Sequence, residues 1–273
     1  MFDKLILGFL SGLIQGVTEW LPISSKTILF FIYYAWGLSA VDSYILSIFL
    51  NGSTFVAATI YFRRELSRML KVSPKIFSSN INHDVMILKF LIISSIVTGI
   101  IGIPLSFIPL SILEKLNPRD ILIFIGILLM VTAFINLWRT RIGIESKSIH
   151  DVGIRDAVIV GFTQSLSVLP GISRSGITIL ALALCGFKIE DSLTLSFLMS
   201  IPVTLGGSIY MYLTSPRVLE ALQPHEILIS ISTAIIISII TISILLKLSR
   251  RFKSHIFLTG LSILTILSGI LST

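Results

Sequence analysis

Leu169-Pro170-Gly171-Ile172-Ser173-Arg174-Ser175-Gly176-Ile177-Thr178 lies inside an otherwise apolar stretch running from about residue 157 to 187. An arginine flanked by hydroxyls and glycines is poor packing material there. A charge at the centre of a membrane helix costs about 2.5–3.5 kcal/mol on insertion scales, so it normally has a partner or a function. Proline, glycine and serine in mid-helix also free backbone groups, which membrane proteins tolerate only where protein or water satisfies them. A second stretch, about 5–37, is broken in the same way by Pro22-Ile23-Ser24-Ser25. Both read as re-entrant hairpins that enter and leave the bilayer on one side.

Working outward, six further segments are apolar enough to span: about 40–62, 85–108, 120–138, 192–213, 227–247 and 255–272. Polar or turn-rich loops separate them: 63–75, 109–119, 139–156, 215–226 and 247–253. With 54% hydrophobic and 13% charged residues over 273 positions, and a mean hydropathy of +0.97, the expected fold class is all-α, a polytopic membrane protein. The single cysteine, Cys185, excludes a disulfide framework or a thiol metal cluster. The net charge of +7 is read as basic cytoplasmic loops rather than a nucleic-acid surface. The apolar start has no Ala-x-Ala-type site, so a cleaved signal peptide is not expected.

The two broken stretches resemble each other. Gly12-Leu13-Ile14-Gln15 through Leu21-Pro22-Ile23-Ser24-Ser25 parallels Gly161-Phe162-Thr163-Gln164 through Leu169-Pro170-Gly171-Ile172-Ser173, and each is followed by three spans. Phe49-Leu50-Asn51-Gly52-Ser53 echoes Phe197-Leu198-Met199-Ser200-Ile201-Pro202. A repeat with an odd number of spans must be inverted relative to its copy. The expectation is therefore one membrane domain over 1–273. It holds two inverted repeats, about 1–139 and 155–273, each one hairpin plus three transmembrane helices. Thirteen Lys/Arg fall on one side of this topology and five on the other, which makes the first side cytoplasmic. The first hairpin then opens outward and the second inward. The competing topology is eight plain spans with kinks.

Gln15 and Glu19 stand four residues apart, on one face if helical. Glu19 is the only carboxylate between Lys4 and Val41. An acid in an apolar helix binds a cation, pairs with an arginine or serves as a base. The bland alternative is a Glu19–Arg174 pair that only ties the hairpins together. Ser24, Ser25, Lys26 and Thr27 follow, and Ser25 or Ser24 with Glu19 is a nucleophile–base candidate. On the second hairpin Ser173, Arg174, Ser175 and Thr178 surround glycines that free backbone N–H groups, a set suited to phosphate. The alternative there is a serine-rich helix interface with one snorkelling arginine. Gln15 and Glu19 are the candidate ligands for a magnesium or calcium ion, although one carboxylate and one amide make a thin oxygen site. Gly8, Gly12 and Gly16 recur at i+4, which predicts close helix packing. His83, His150, His225 and His255 fall in loops or at span ends.

Gln15-Gly16-Val17-Thr18-Glu19-Trp20-Leu21-Pro22-Ile23-Ser24-Ser25, together with 169–178, resembles the two signatures of the bacterial undecaprenyl-diphosphate phosphatase family, known also for bacitracin resistance. The resemblance runs the length of the chain. It implies an inverted-repeat membrane hydrolase that removes the terminal phosphate of a C55 polyprenyl diphosphate and so recycles the lipid carrier of cell-wall sugars. By position it implies Ser25 as nucleophile, Glu19 as the second acid of a Glu/Gln-x-x-x-Glu motif with Gln15 in its first place, and Arg174 as phosphate clamp. Ser173, Ser175 and Thr178 match that arginine's hydroxyl neighbours. The family usually continues Ser-Ser-Thr-Gly-His, whereas this chain has Ser24-Ser25-Lys26-Thr27-Ile28. A mechanism needing that histidine cannot run unchanged: the alternatives are Lys26 as a substitute phosphate contact, Glu19 alone as base, or lost or retuned activity.

The expected function is thus an integral membrane phosphatase in the plasma membrane, acting on an undecaprenyl- or dolichyl-type diphosphate. The rivals are a polyprenyl-phosphate flippase or anion transporter without hydrolysis, and a non-catalytic scaffold. Expected partners are the lipid and the bilayer, with the oligomeric state open and a homodimer among the options.

Overall fold

A computed structural model describes residues 2–76, 82–106, 119, 120, 123, 126, 127, 130, 134, 146–168, 172–214, 223–251 and 253–271, with side chains omitted at a few of them, Thr27 included. The described residues are helical, with no named strand. In chain order the α-helices are α1 (Phe2–Thr18), α2 (Ser25–Ala35), α3 (Ala40–Phe49), α4 (Asn51–Tyr61), α5 (Arg63–Val72), α6 (His83–Ser106), α7 (Ile154–Ser165), α8 (Arg174–Leu184), α9 (Ile189–Thr214), α10 (Pro224–Arg251) and α11 (Ser254–Leu271).

Length distinguishes several of these helices once α3 and α4, joined through Leu50, are counted as one run. Four segments, Asp42–Tyr61, His83–Leu105, Ile189–Tyr210 and Pro224–Arg251, are long and apolar enough to cross a membrane. By contrast α2 and α8 have 11 residues each and α7 has 12. At 1.5 Å rise per residue such helices reach about 16–18 Å, well short of a hydrocarbon core of about 30 Å. The breaks fall where proline and serine were read: α1 stops at Thr18, four residues before Pro22, and α8 starts at Arg174.

The long helices turn their apolar side outward. On α6, Ile92, Ile96, Ile100 and Ile103 are exposed at helical spacing while Ser94 and Thr98 are buried. On α10, Leu228, Ile236, Ile240 and Ile244 face out, and Ser230, Ala234 and Ser238 face in. A water-soluble helix has the opposite pattern; a lipid-facing helix packs through small residues and shows its aliphatic side to acyl chains. Burying Ser94 and Thr98 costs little because each donates to a carbonyl one turn back, Ser94 to Leu91 O (3.2 Å) and Thr98 to Ser94 O (2.7 Å).

The glycine stripe packs as expected. A Cβ at Gly8 would lie 2.8 Å from Glu226 O, one at Gly12 would strike Ser230 O, and one at Gly16 would lie 2.7 Å from Ile237, so α1 runs directly along α10. Ser230 Oγ donates to Gly8 O at 2.9 Å. Gly161 on α7 makes the corresponding approach to α6, where a Cβ would come within 2.6 Å of Ser94 O. Each broken stretch therefore leans on a long helix from the other half of the chain.

Two expected loops are helical instead. Residues 63–75 form α5 and a 3₁₀ turn, Ser73–Lys75, because Leu66 and Met69 pack on the core while Arg63, Arg64, Arg68 and Lys71 stay exposed. The expected 247–253 loop is largely absorbed by α10, whose last turn carries Arg250 and Arg251, favourable charges at a helix C-terminus. The expected span at 120–138 lies mostly outside the described residues. Gly126 within it abuts Ile266 and Ser262 O of α11. Loops 109–119 and 215–226 lie largely outside them too, as does 139–145, whereas 146–156 holds a 3₁₀ turn, Ile149–Asp151, and the start of α7.

Candidate active site

The two breaks in the helices meet. Ser173 takes an extended backbone (φ −74°, ψ 123°) and caps α8, its Oγ accepting from Gly176 N at 3.2 Å. Ser175 Oγ donates to Leu21 O at 2.6 Å, and a Cβ on Gly176 would press on Pro22 at 3.2 Å. Glycine at 176 thus lets the second break seat against the first.

This seating delivers Arg174 to Glu19. The Arg174 Nη2 donates to Glu19 Oε1 at 2.8 Å, with both side chains only 6% exposed. Arg174 Nη1 donates to Ser196 O at 3.0 Å, and the guanidinium sits 5.9 Å from the centre of the Trp20 ring. Trp20 is itself fixed edge-on to Phe197 at 5.0 Å. The other Glu19 oxygen, Oε2, accepts from Ser25 Oγ at 2.7 Å and from Gln15 Nε2 at 3.1 Å. Carboxylate, hydroxyl and guanidinium are therefore in direct contact, although 155 residues separate Glu19 from Arg174. Arg174 Nε, Gln15 Oε1 and Trp20 Nε1 are buried here with no hydrogen-bond partner among the described residues.

Above this cluster opens a cavity of about 500 Å³. Glu19, Ser24, Ser25, Lys26, Ser173 and Arg174 form its polar lining, and Ile48, Gly99, Ile103, Val203, Gly206 and Tyr210 form apolar walls from α3, α6 and α9. No histidine lines it. Lys26 is half-buried and its Nζ donates across to Ser167 O at 2.5 Å, a second link between the two breaks.

The residues singled out in the sequence divide by position. Glu19, Ser24, Ser25, Lys26, Ser173 and Arg174 share the cavity. Ser175 and Thr178 do not line it: Ser175 ties to Leu21 O, while Thr178 Oγ1 donates to Arg174 O (2.8 Å) and lies 2.7 Å from Ser196 Oγ, behind the guanidinium. Gln15 is fully buried beneath Glu19. The Thr27 side chain and Gly171 lie outside the described residues. The amide of Gly176, expected to be open to an anion, is taken by the Ser173 cap.

The Gln15–Glu19 pair does not suit a divalent cation as arranged. Both carboxylate oxygens already accept from Arg174, Ser25 and Gln15, and Gln15 turns its N–H side, not its oxygen, toward Glu19. Among the described residues no three His, Cys, Asp or Glu side chains converge as a metal site. Two contributors escaped the sequence reading. Ser196 acts through its backbone carbonyl, which no side-chain pattern reveals. Asn51, which accepts from Gln15 Nε2 at 2.7 Å and lines the cavity, did carry a signal, as the one carboxamide within the apolar segment 40–62.

The model of the family described as "Bacitracin resistance protein BacA" matches residues 8–267, almost the whole chain and both halves of the site. The chain belongs to this family. A relative named undecaprenyl-diphosphatase from Saccharolobus solfataricus is 37% identical over 275 residues, covering 99% of this chain and 97% of the relative. Relatives of the same name from Methanococcoides burtonii (35% identical, 94% and 95% covered) and Haloarcula marismortui (30% identical, 98% of each chain) are similar over the same extent.

Proposed function

We propose that this chain is an integral membrane phosphatase that hydrolyses a polyprenyl diphosphate to the monophosphate and inorganic phosphate. The observation that carries the reading is the contact of Ser25, Glu19 and Arg174 at the polar end of an apolar-walled cavity. The names of the relatives point the same way.

In this reading the diphosphate enters the polar end and the lipid tail follows the walls of α6 and α9. A phosphate oxygen competes with Glu19 for the Arg174 fork, which suits bidentate binding of an oxyanion. Displacing that contact frees Glu19 to accept the Ser25 proton across the existing 2.7 Å hydrogen bond. Ser25 Oγ attacks the terminal phosphorus as the bond to the bridging oxygen breaks, and that oxygen leaves on the lipid monophosphate. Water then cleaves the phosphoserine, giving inorganic phosphate and restoring the hydroxyl. Arg174, Lys26, Ser24 and Ser173 stabilise charge on the equatorial oxygens, where phosphoryl transfer gains most from a protein. Ser175 and Thr178 act indirectly, by holding Leu21 and Arg174 in place. Lys26 supplies a cation next to Ser25, and Ile28 contributes no acid or base.

We also propose that α1–α2 and α7–α8 are re-entrant hairpins of two inverted repeats. Their short helices and the reciprocal packing of α1 on α10 and α7 on α6 support this. The basic α5 and the end of α10 would face the cytoplasm of a plasma-membrane protein, placing the first hairpin's mouth outward. With that placement goes a proposed role in recycling an undecaprenyl- or dolichyl-type carrier for glycan assembly, which the names of the relatives support for the undecaprenyl type.

The test is phosphate release from polyprenyl diphosphates by purified protein, with Ser25→Ala and Arg174→Ala alongside, in the presence and absence of a chelator. Loss of roughly 100-fold or more in both variants is expected. Unchanged rates refute the assignment, and movement of labelled lipid phosphate without hydrolysis would establish transport instead.

A further inference from the structure

The carboxylate of Glu19 fixes the orientation of a chain of amides leading away from it. A carboxylate paired with a guanidinium has only acceptors, so Gln15 must present Nε2 to Glu19 Oε2, at 3.1 Å. Turning the amide over would place oxygen against oxygen. The second proton of the same nitrogen then points at Asn51, 2.7 Å away, and that contact is satisfied only if Asn51 offers Oδ1. Asn51 is left with its Nδ2 and two protons, for which no described residue supplies an acceptor. Unlike Gln15, which is fully buried, Asn51 is half-buried and lines the cavity that also receives Glu19, Lys26 and Arg174.

We propose that Asn51 is a phosphate-orienting residue whose Nδ2–H donates to a non-bridging oxygen of the diphosphate headgroup, with Gln15 as the positioning residue that forces this orientation. The inference rests on the cavity being a diphosphate site. It assigns the polar end a donor from α4, which Arg174 on α8 and Lys26 on α2 do not provide. Three donors on three different elements fix a tetrahedral phosphoryl group in rotation as well as position. A fork and a flexible ammonium alone leave rotation less constrained.

Asn51→Asp and Asn51→Ala separate this role from a structural one. Aspartate is nearly isosteric and still accepts from Gln15, but replaces the donor with a charge that repels phosphate. Alanine loses both functions. The probe is inorganic diphosphate, its affinity for the full-length protein followed by tryptophan fluorescence, with Trp20 beside Arg174 as reporter. A donor role predicts affinity weakened roughly 10- to 100-fold in Asn51→Ala and at least as much in Asn51→Asp, each with a thermal midpoint showing a folded protein. A residue needed only to accept from Gln15 gives the reverse order, Asn51→Asp binding like the native chain. That order, native-like binding by both variants, or no diphosphate binding by the native chain overturns the proposal. If the native chain binds diphosphate and Asn51→Asp does not, the assignment stands even where phosphate release is absent and the hydrolytic reading fails. If Ser25→Ala abolishes hydrolysis while Asn51→Asp binds normally, only the Asn51 assignment falls.

Discussion

Removing Arg174 alone should destabilise the protein far more than removing it together with Glu19, while both changes abolish activity. The pair is 2.8 Å apart and each partner is 6% exposed. In Arg174→Met the Glu19 carboxylate stays buried with only Ser25 and Gln15 donating to it. Breaking one side of a buried ion pair costs about 3–5 kcal/mol, whereas replacing both sides by neutral groups of similar volume is near neutral. The carbonyl of Ser196 loses a donor in either case, a further cost of about 1 kcal/mol. At roughly 2–4 °C per kcal/mol the single variant should melt on the order of 10 °C below the native protein. The double variant Glu19→Gln/Arg174→Met should recover most of that difference. Thermal unfolding in detergent, read by intrinsic fluorescence, measures the first quantity, and phosphate release from a polyprenyl diphosphate measures the second. If the pair merely ties the hairpins, the recovered double variant also regains activity. If the groups perform chemistry, the double variant is stable and inactive. A double variant that hydrolyses lipid diphosphate would refute the mechanism, and a single variant as stable as the native chain would refute the electrostatic reasoning.

Other perturbations follow from the same contacts. Lys26→Met keeps the side-chain stem but loses the ammonium that reaches Ser167 O, and should raise KM roughly 10-fold with a smaller effect on kcat, Lys26→Arg restoring part of it. Steady-state kinetics with a soluble short-chain diphosphate checks this. Gly12→Leu and Gly206→Leu should behave differently. The first has Ser230 O and Thr233 against its Cβ and should separate α1 from α10, seen as loss of folded protein on gel filtration. The second has nothing within 4 Å and projects into the cavity wall, so the protein should stay folded while the ratio of long-chain to short-chain turnover falls.

Legibility in the sequence followed the range of the interaction. Asp42–Tyr61, His83–Leu105, Ile189–Tyr210 and Pro224–Arg251 were readable because a lipid-facing helix must be apolar along its length, a property of consecutive residues. The stripe Gly8, Gly12 and Gly16 announced a close contact for the same reason, without naming α10 as its partner. Amphipathic α5 is not legible as a helix in the sequence because its four exposed cations outweigh Leu66 and Met69, and no long apolar run marks it.

The chemistry of the site was half legible. Glu19, Ser25 and Arg174 stood out because a polar group in an apolar stretch is costly wherever the chain goes. The sequence by itself therefore determined the class of the protein, the places where helices break and the identity of the groups that meet. Only the tertiary structure decided how they meet: that Ser25 donates to Glu19, that Ser175 and Thr178 stand behind the arginine, and that a backbone carbonyl at Ser196 and an amide at Asn51 complete the surroundings. The physical reason is direction. Burial cost depends on residue type and is written in composition, while a hydrogen bond depends on where an atom points after helices from both halves of the chain have packed.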